Sequence, residues 1–146
     1  MFDGLTITRT FNASRERVYA MWTTPEDFAA WFGTEAVEVP LDSVSMDVRV
    51  GGTWRATMRL PGGHEIQWGG KYTEVDPPGR LAFTLTDDPT TPEIEPVVVV
   101  LREVAGGTEM TFTQPRHGFS DEHLERTREG YNSFFDALEK RLSAVA

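Results

Sequence analysis

Cysteine is absent from the 146 residues, and lysine is scarce, with two lysines against twelve arginines. The absence of cysteine excludes disulfide bonds, thiolate metal sites and thiol nucleophiles. No run of eighteen apolar residues occurs, so the sequence predicts no membrane-spanning helix. Residues 1–11 also lack the basic segment and apolar run that are typical of a secretory signal, and we therefore expect a cytoplasmic protein.

Acidic residues outnumber basic ones, and the formal net charge at pH 7 is -9. Because the arginines are scattered and the net charge repels phosphate groups, we expect no binding to nucleic acid and no insertion into membranes. The acidity is typical of a solubilising surface. The length fits one domain with one hydrophobic core, so we assign residues 1–146 to a single domain.

The N-terminal third predicts one strand followed by two short helices. Apolar and polar residues alternate over residues 5–11, which is typical of a half-buried strand. Ser14 is a suitable N-cap for a helix over residues 15–23. Thr24-Pro25 marks the start of a second helix, because proline is favoured at the first helical position. We expect this helix to end at Gly33.

The middle of the chain predicts six more strands, separated by turns rich in glycine and proline. The apolar residues recur with a period of two, which favours antiparallel strands with one buried face. Pro61-Gly62-Gly63 gives the clearest hairpin turn. The predicted strands cover residues 44–50, 54–60, 64–72, 80–86, 97–104 and 108–114.

The C-terminal segment predicts a long amphipathic helix from Asp121 to about Ser143, capped by Ser120. Burying its roughly six large apolar side chains at about 2 kcal/mol each would contribute about 10 kcal/mol, comparable with the net stability of a domain. The helix is therefore an integral part of the fold. Helices segregated from strands predict an α+β domain.

Several short segments, taken in order, resemble one known superfamily. They are Phe11-Asn12-Ala13-Ser14 with Val18-Tyr19, Trp31-Phe32, Val50-Gly51-Gly52-Thr53-Trp54, Gly69-Gly70-Lys71-Tyr72, Gly107-Thr108-Glu109-Met110-Thr111 and Gly130-Tyr131. The chain resembles the SRPBCC (START-like, Bet v 1-like) superfamily over nearly its whole length, in the branch of the activator of heat-shock protein 90 ATPase homologue C-terminal-like domain.

The resemblance implies a helix-grip fold, in which a seven-stranded curved antiparallel sheet surrounds a long C-terminal helix and two short helices follow strand 1. It does not settle the function, because similar scaffolds serve as lipid carriers, polyketide cyclases, hormone receptors and chaperone activators. Two departures are Tyr131, where relatives often have tryptophan, and the absence of the separate N-terminal domain of chaperone activators. The second weakens a chaperone-activating role.

Aromatic residues exceed what a compact core of this size needs, and a curved sheet is not filled by one helix. We therefore expect an apolar cavity between the sheet and the C-terminal helix, although ordinary core packing is the better explanation for any single ring taken alone. The predicted lining residues, read from alternation and helical phase, are Trp31, Phe32, Trp54, Met58, His64, Ile66, Trp68, Tyr72, Phe83, Phe112, Gln114, Tyr131, Phe134 and Phe135.

Three polar residues are predicted on inward faces, where they could orient a ligand: Arg9, His64 and Gln114. We assign no catalytic residue, because no carboxylate stands at a defined spacing from His64. His117 and His123 flank the start of the last helix. Their spacing fits no familiar zinc pattern, and helix capping explains His123 and its acidic neighbours equally well, so we predict no metal site.

These observations predict a protein that binds a small apolar molecule or lipid, needs no cofactor and is not an enzyme. Two alternatives are left open. One is a cyclase or hydrolase in which an inward polar residue moves a proton, and the other is a module that interacts with a chaperone. We expect a monomer or a weak homodimer.

Overall fold

A computed structural model describes residues 4–32, 37–86, 95–116 and 119–144. Within these residues no helix combines the length and the apolar character needed to cross a bilayer. A short 3-10 helix, Leu41–Ser43, precedes the second strand. The strands and helices, numbered in chain order, are β1 Gly4–Phe11, α1 Arg15–Thr23, α2 Pro25–Phe32, β2 Ser45–Met46, β3 Thr53–Arg59, β4 Glu65–Asp76, β5 Arg80–Phe83, β6 Val97–Val104, β7 Gly107–Pro115 and α3 Asp121–Ala144.

The strands form one antiparallel sheet in the order β1-β7-β6-β5-β4-β3-β2. From β2 to β7 the chain meanders from one strand to its neighbour, whereas β1 joins the far edge beside β7. In that pair Leu5 lies opposite Gln114, and Phe11 lies opposite Thr108. The predicted α+β arrangement is confirmed, with helices α1 and α2 directly after β1 and the long helix at the end of the chain.

The predicted boundaries of the first two helices are confirmed where they lie in the described residues. The Ser14 side chain accepts a hydrogen bond of 3.2 Å from the Arg17 N–H, as an N-cap does. Pro25 occupies the first position of α2. The predicted stop at Gly33 lies outside the described residues.

The prediction of a strand over residues 44–50 is wrong for most of its length. Only Ser45–Met46 pairs with β3. Asp47 N–H still bonds to Thr53 O of β3 at 3.0 Å. The chain then turns, because Arg49 N–H bonds to Asp47 O at 2.9 Å and Gly52 N–H bonds to Arg49 O at 2.8 Å. These two turn hydrogen bonds replace the ladder that a longer strand would need.

A close approach of two backbones fixes the middle of β4. At Gly70 an added Cβ atom would lie 1.9 Å from the Thr84 carbonyl oxygen. The Thr84 N–H donates to Lys71 O at 2.9 Å, which holds this segment against β4 beyond the end of β5. Only glycine fits at position 70 without moving one backbone away from the other.

The hydrophobic core lies between the inner face of the sheet and the three helices. Helix α3 contributes the fully buried Phe135 and Leu138, and β7 contributes Met110 and Phe112 from the opposite side. α3 contacts α2 and β1 most extensively. The half of the sheet formed by β3 and β4 is therefore joined to α3 largely through side chains of α2.

Replacing Gly70 with alanine should destabilise the protein by about 1–3 kcal/mol, because the new methyl group overlaps the Thr84 backbone. The matched control is Gly130→Ala, since Gly130 lies in α3 with no atom near its added Cβ, and it should stabilise the protein by about 1 kcal/mol. Urea unfolding of both variants measures the difference, and equal effects would contradict the close approach at Gly70.

Candidate functional site

The interior between the sheet and α3 is occupied by a continuous group of aromatic rings, here called the aromatic cluster. Neighbouring ring centroids lie 4.5 to 6.5 Å apart, in mostly edge-to-face and tilted arrangements. The rings come from all three helices and from strands β3, β4, β5 and β7. The cluster consists of Trp22, Phe28, Trp31, Phe32, Trp54, Trp68, Tyr72, Phe83, Phe112, Tyr131, Phe134 and Phe135.

Thirteen of the fourteen predicted lining residues are buried or half-buried. Three of them are only half-buried, namely Ile66 and Trp68 on β4 and Phe134 on α3. The buried ones are Trp31, Phe32, Trp54, Met58, Tyr72, Phe83, Phe112, Gln114, Tyr131 and Phe135.

His64 is placed differently from the prediction, because its side chain is exposed. It precedes β4 in the β3–β4 hairpin, where its carbonyl oxygen accepts a hydrogen bond of 2.7 Å from the Leu60 N–H. His64 has the same alternation phase as Ile66 and Trp68. It nevertheless lies in the hairpin turn, before β4 begins at Glu65, and no other part of the described structure buries its side chain there. The expectation that it faces the interior is corrected accordingly.

The three half-buried residues form an apolar surface that we call the aromatic wall: Ile66 and Trp68 of β4 and Phe134 of α3. The buried Phe32 of α2 contacts the last two. Its ring lies 6.1 Å from Trp68 and 5.2 Å from Phe134, measured between centroids. Trp68 and Phe134 are the members of the aromatic cluster that remain partly open to solvent.

The four tryptophans differ in the hydrogen bonding of their indole nitrogens. Trp31 Nε1 donates to Met21 O at 2.6 Å, and Trp54 Nε1 donates to Thr84 O at 3.0 Å. Trp22 Nε1 and Trp68 Nε1 are buried and find no acceptor among the described residues. Buried polar groups in proteins are normally bonded, so these two are exceptions that need an explanation.

Tyr19 adds a further buried donor without a partner in the described part of the chain, and Arg15 Nε and Arg17 Nη2 of the same helix are two more. The Tyr19 hydroxyl is buried, and Tyr19 lies one helical turn before Trp22 on α1. Sequence reasoning omitted Tyr19 and Trp22 from the lining residues. The spacing of the buried residues of α1 was the signal that could have placed both on the inner face of the helix.

Gln114 and Tyr131 form a buried hydrogen bond within the interior. The Tyr131 hydroxyl donates to Gln114 Oε1 at 2.5 Å. Gln114 is thus placed inward, where alternation predicted it, and its carbonyl oxygen is engaged by the protein itself.

Two groups of charged residues near the helices are paired. Arg9 of β1 was predicted to orient a ligand, and its Nη1 lies 2.9 Å from Oδ1 of Asp136 of α3. Asp27 of α2 is buried. Its Oδ1 accepts a hydrogen bond of 3.0 Å from Arg141 Nε, and its Oδ2 lies 3.6 Å from Arg17 Nη1. The second group ties the three helices together.

The segment before α3 gives no metal-binding geometry in the described residues. His123 stacks on Phe119 with a centroid distance of 3.8 Å, and its N–H bonds to Ser120 Oγ at 3.1 Å. His117 lies outside the described residues. Among those described, no three histidine or carboxylate side chains come close enough to hold one ion.

An open depression of about 350 Å³ lies outside the aromatic cluster, at the β1–α1 turn and the β6–β7 hairpin. Its walls are largely polar and glycine-rich. The lining residues are Asn12, Ala13, Ser14, Arg15, Glu103, Val104, Gly106 and Gly107.

Residues 12–143 match the family model described as activator of Hsp90 ATPase homolog 1-like protein. The chain belongs to the AHSA1-like family. The predicted superfamily branch is confirmed, and so is the predicted helix-grip fold, since the seven-stranded sheet and the C-terminal helix recur in AHSA1-like structures. A search of curated proteins found no match.

Solved structures agree with this family assignment. A protein from Chromobacterium violaceum superimposes with a TM-score of 0.82 at 25% identity, covering 94% of this chain and 95% of that one. A protein from Nitrosomonas europaea gives 0.82 at 24% identity, with 97% and 95% covered. The AHSA1-like protein from Aeromonas hydrophila gives 0.78 at 20% identity, with 97% and 94% covered.

All three tyrosines of this AHSA1-like chain should resist ionisation in the folded state. Burial and the charge of Asp76 raise the pKa of Tyr19 to about 12. Burial, reinforced by Tyr19 and Asp47, raises the pKa of Tyr72 further, and burial alone raises that of Tyr131. Because these folded-state pKa values exceed the unfolded value near 10, stability is complete below about pH 10 and decreases as the pH rises through the folded pKa values.

Absorbance at 295 nm should therefore show little tyrosinate in the folded protein at about pH 10.5, where the urea-unfolded chain is largely ionised. The free energy of unfolding should decrease above about pH 10 by up to about 1.4 kcal/mol per pH unit for each tyrosine. A folded-state titration near pH 10 for all three phenols would contradict this burial.

Asp27→Asn should destabilise the protein by about 2 kcal/mol, since it removes the charge that two arginines share in a buried position. Asp136→Asn is the matched control, because its side chain is 72% exposed and such a pair contributes under about 1 kcal/mol. Thermal unfolding of both variants tests the ranking, which the opposite order would overturn.

Proposed function

We propose that this protein binds a small, mainly apolar molecule between β4 and α3, against the aromatic wall. The observation that carries the proposal is the half-buried state of Trp68 and Phe134, whose rings both contact that of the buried Phe32. Aromatic faces lose contact with water on binding an apolar molecule, which is favourable by roughly 25 cal/mol per Å².

The packing of the interior determines how such a ligand would enter. The rings of the aromatic cluster pack with centroids 4.5 to 6.5 Å apart, so we infer that a ligand that reaches them displaces side chains. Phe134 and Trp68 are the rings with the fewest covering atoms, and they can rotate outward at the lowest cost. We therefore infer that the ligand enters beside them and then contacts Phe32 and Trp31.

The enzymatic alternative needs an inward polar residue that moves a proton. A buried His64 paired with a carboxylate would have favoured it, but His64 is exposed at the hairpin. The buried carboxylate among the described residues, Asp27, is paired with Arg17 and Arg141. Binding without chemistry is therefore the function that the geometry supports best.

The proposal is tested by titration with N-phenyl-1-naphthylamine, a neutral dye that fluoresces in apolar surroundings. We expect saturable binding of one dye per chain. Phe134→Ala should weaken it about 10-fold, or about 1.4 kcal/mol, because it removes one aromatic face of the wall. Val50→Ala is the control: Val50 is 64% exposed outside the wall, and its truncation should leave the affinity unchanged.

Circular dichroism of both variants would establish that they remain folded. Linear, unsaturable fluorescence with the wild type would contradict the proposal, as would equal affinities for the Phe134 variant and the wild type.

A further inference from the structure

The open depression at the β1–α1 turn and the β6–β7 hairpin lies outside the aromatic cluster, and the proposed function does not use it. Its volume of about 350 Å³ falls at the lower end of the range for small-molecule pockets. Of its eight lining residues in the described part of the chain, two are charged, Arg15 and Glu103. Because its walls are largely polar, the depression suits a small hydrophilic molecule better than an apolar one.

Contacts between the β1–α1 turn and the β6–β7 hairpin hold the walls of the depression in place. The buried Thr108 hydroxyl donates to Ala13 O at 2.7 Å. At Gly107 an added Cβ atom would overlap the Phe11 carbonyl oxygen, so the two backbones are in close contact there. The shape of the depression is therefore set by packed backbone segments and not by side chains alone.

The Arg15 guanidinium is unpaired at this depression. Its Nε atom is buried and has no acceptor, and the side chain makes no ion pair or hydrogen bond with any described residue. The Nη1 atom lies beside the turn between β4 and β5, 3.7 Å from the place that a Cβ atom on Gly79 would occupy. A buried donor without an acceptor costs free energy, and an external acceptor would relieve that cost.

Glu103 supplies a negative charge to the same depression. It lies two residues after the buried Leu101 on β6 and opposite the buried Thr108 on β7, so it has the inward phase of the strand. Its side chain is nevertheless exposed, because the strand there approaches the end of the hairpin. Within the described residues Glu103 also has no ion pair. Arg15 and Glu103 thus line one depression without pairing with each other.

An ion of a single sign fits this arrangement poorly. A carboxylate bound to Arg15 would be repelled by Glu103, and an ammonium group bound to Glu103 would be repelled by Arg15. A molecule that carries both groups meets an opposite charge at each end. The guanidinium fork matches a carboxylate, and the three donors of an ammonium group match carboxylate oxygens.

We propose that the depression binds a small amino carboxylate, a zwitterion with one carboxylate and one ammonium group. The carboxylate accepts hydrogen bonds from Arg15, and the ammonium group donates to Glu103. This site is separate from the aromatic wall, so the inference goes beyond the proposed function and does not depend on it.

The test is an NMR titration of the ¹⁵N-labelled protein with two zwitterions of different length, glycine and γ-aminobutyrate. Butyrate and butylammonium, which each retain one of the two charges, are titrated in parallel. We expect saturable shifts of the Ser14, Gly106 and Gly107 amide signals with at least one zwitterion. The two singly charged probes should bind about 5-fold more weakly, as expected for loss of one exposed ion contact.

Two variants assign the charges. Arg15→Gln should weaken the zwitterion about 5-fold and abolish its advantage over butylammonium, whereas Glu103→Gln should abolish its advantage over butyrate. Neither side chain has a partner to lose among the described residues, so both variants should remain folded. Arg102→Gln is the matched control: Arg102 is exposed next to Glu103 but paired with Glu109, and its replacement should leave the affinity unchanged.

Absence of saturable binding by both zwitterions overturns the inference, and so do equal affinities for the zwitterion, butyrate and butylammonium. An affinity that neither the Arg15 nor the Glu103 variant changes also overturns it, because the ligand then binds elsewhere. A saturating zwitterion should leave the binding of N-phenyl-1-naphthylamine unchanged, and displacement of the dye would contradict a separate site. Failure of the zwitterions to bind leaves the proposed function standing.

Discussion

Trp31 and Phe32 lie between the sheet and α3, and this placement of α2 is the contact on which the rest of the interior depends. α3 contacts α2 more extensively than it contacts any strand. Phe32 reaches Trp68 on one side and Phe134 on the other. A single straight helix cannot contact the whole inner face of a strongly curved sheet. The rings of α2 therefore fill the space between the sheet and α3. The ion group around Asp27 holds the same helix from its polar side.

Some buried polar groups of the interior have hydrogen-bond partners, and others have none among the described residues. Groups that meet backbone or side-chain acceptors, such as Trp31 Nε1 and the Tyr131 hydroxyl, fix rings in one orientation. Trp22 lies among the rings of Trp31, Phe83, Phe112 and Phe135, whose carbon atoms offer its indole nitrogen no oxygen acceptor. Its inward position follows from helical phase on α1.

Most of the secondary structure could be predicted from the sequence, because the period of the apolar residues indicates which side chains face inward. The prediction failed at residues 44–50, where Val44, Met46 and Val48 are half-buried as alternation predicts, yet the backbone turns away from β3 after Asp47. Facing inward and pairing with a strand are separate requirements. The same distinction explains the wrong prediction for His64. Its alternation phase matches that of the inward residues of β4, but His64 lies in the turn before that strand begins. The pairing of Arg9 with Asp136 joins residues more than 120 positions apart, and no local pattern predicts it.

The position of β1 beside β7 has a consequence for biosynthesis. The first strand has to wait for a partner that is translated roughly 100 residues later, about 5–20 s at ordinary elongation rates. Such a distant pairing also slows refolding, since a large loop must close first. During that interval the outward threonines of β1, at positions 6, 8 and 10, give the waiting segment one hydrophilic face. A nascent chain with this property is less prone to stick to its neighbours on a polysome.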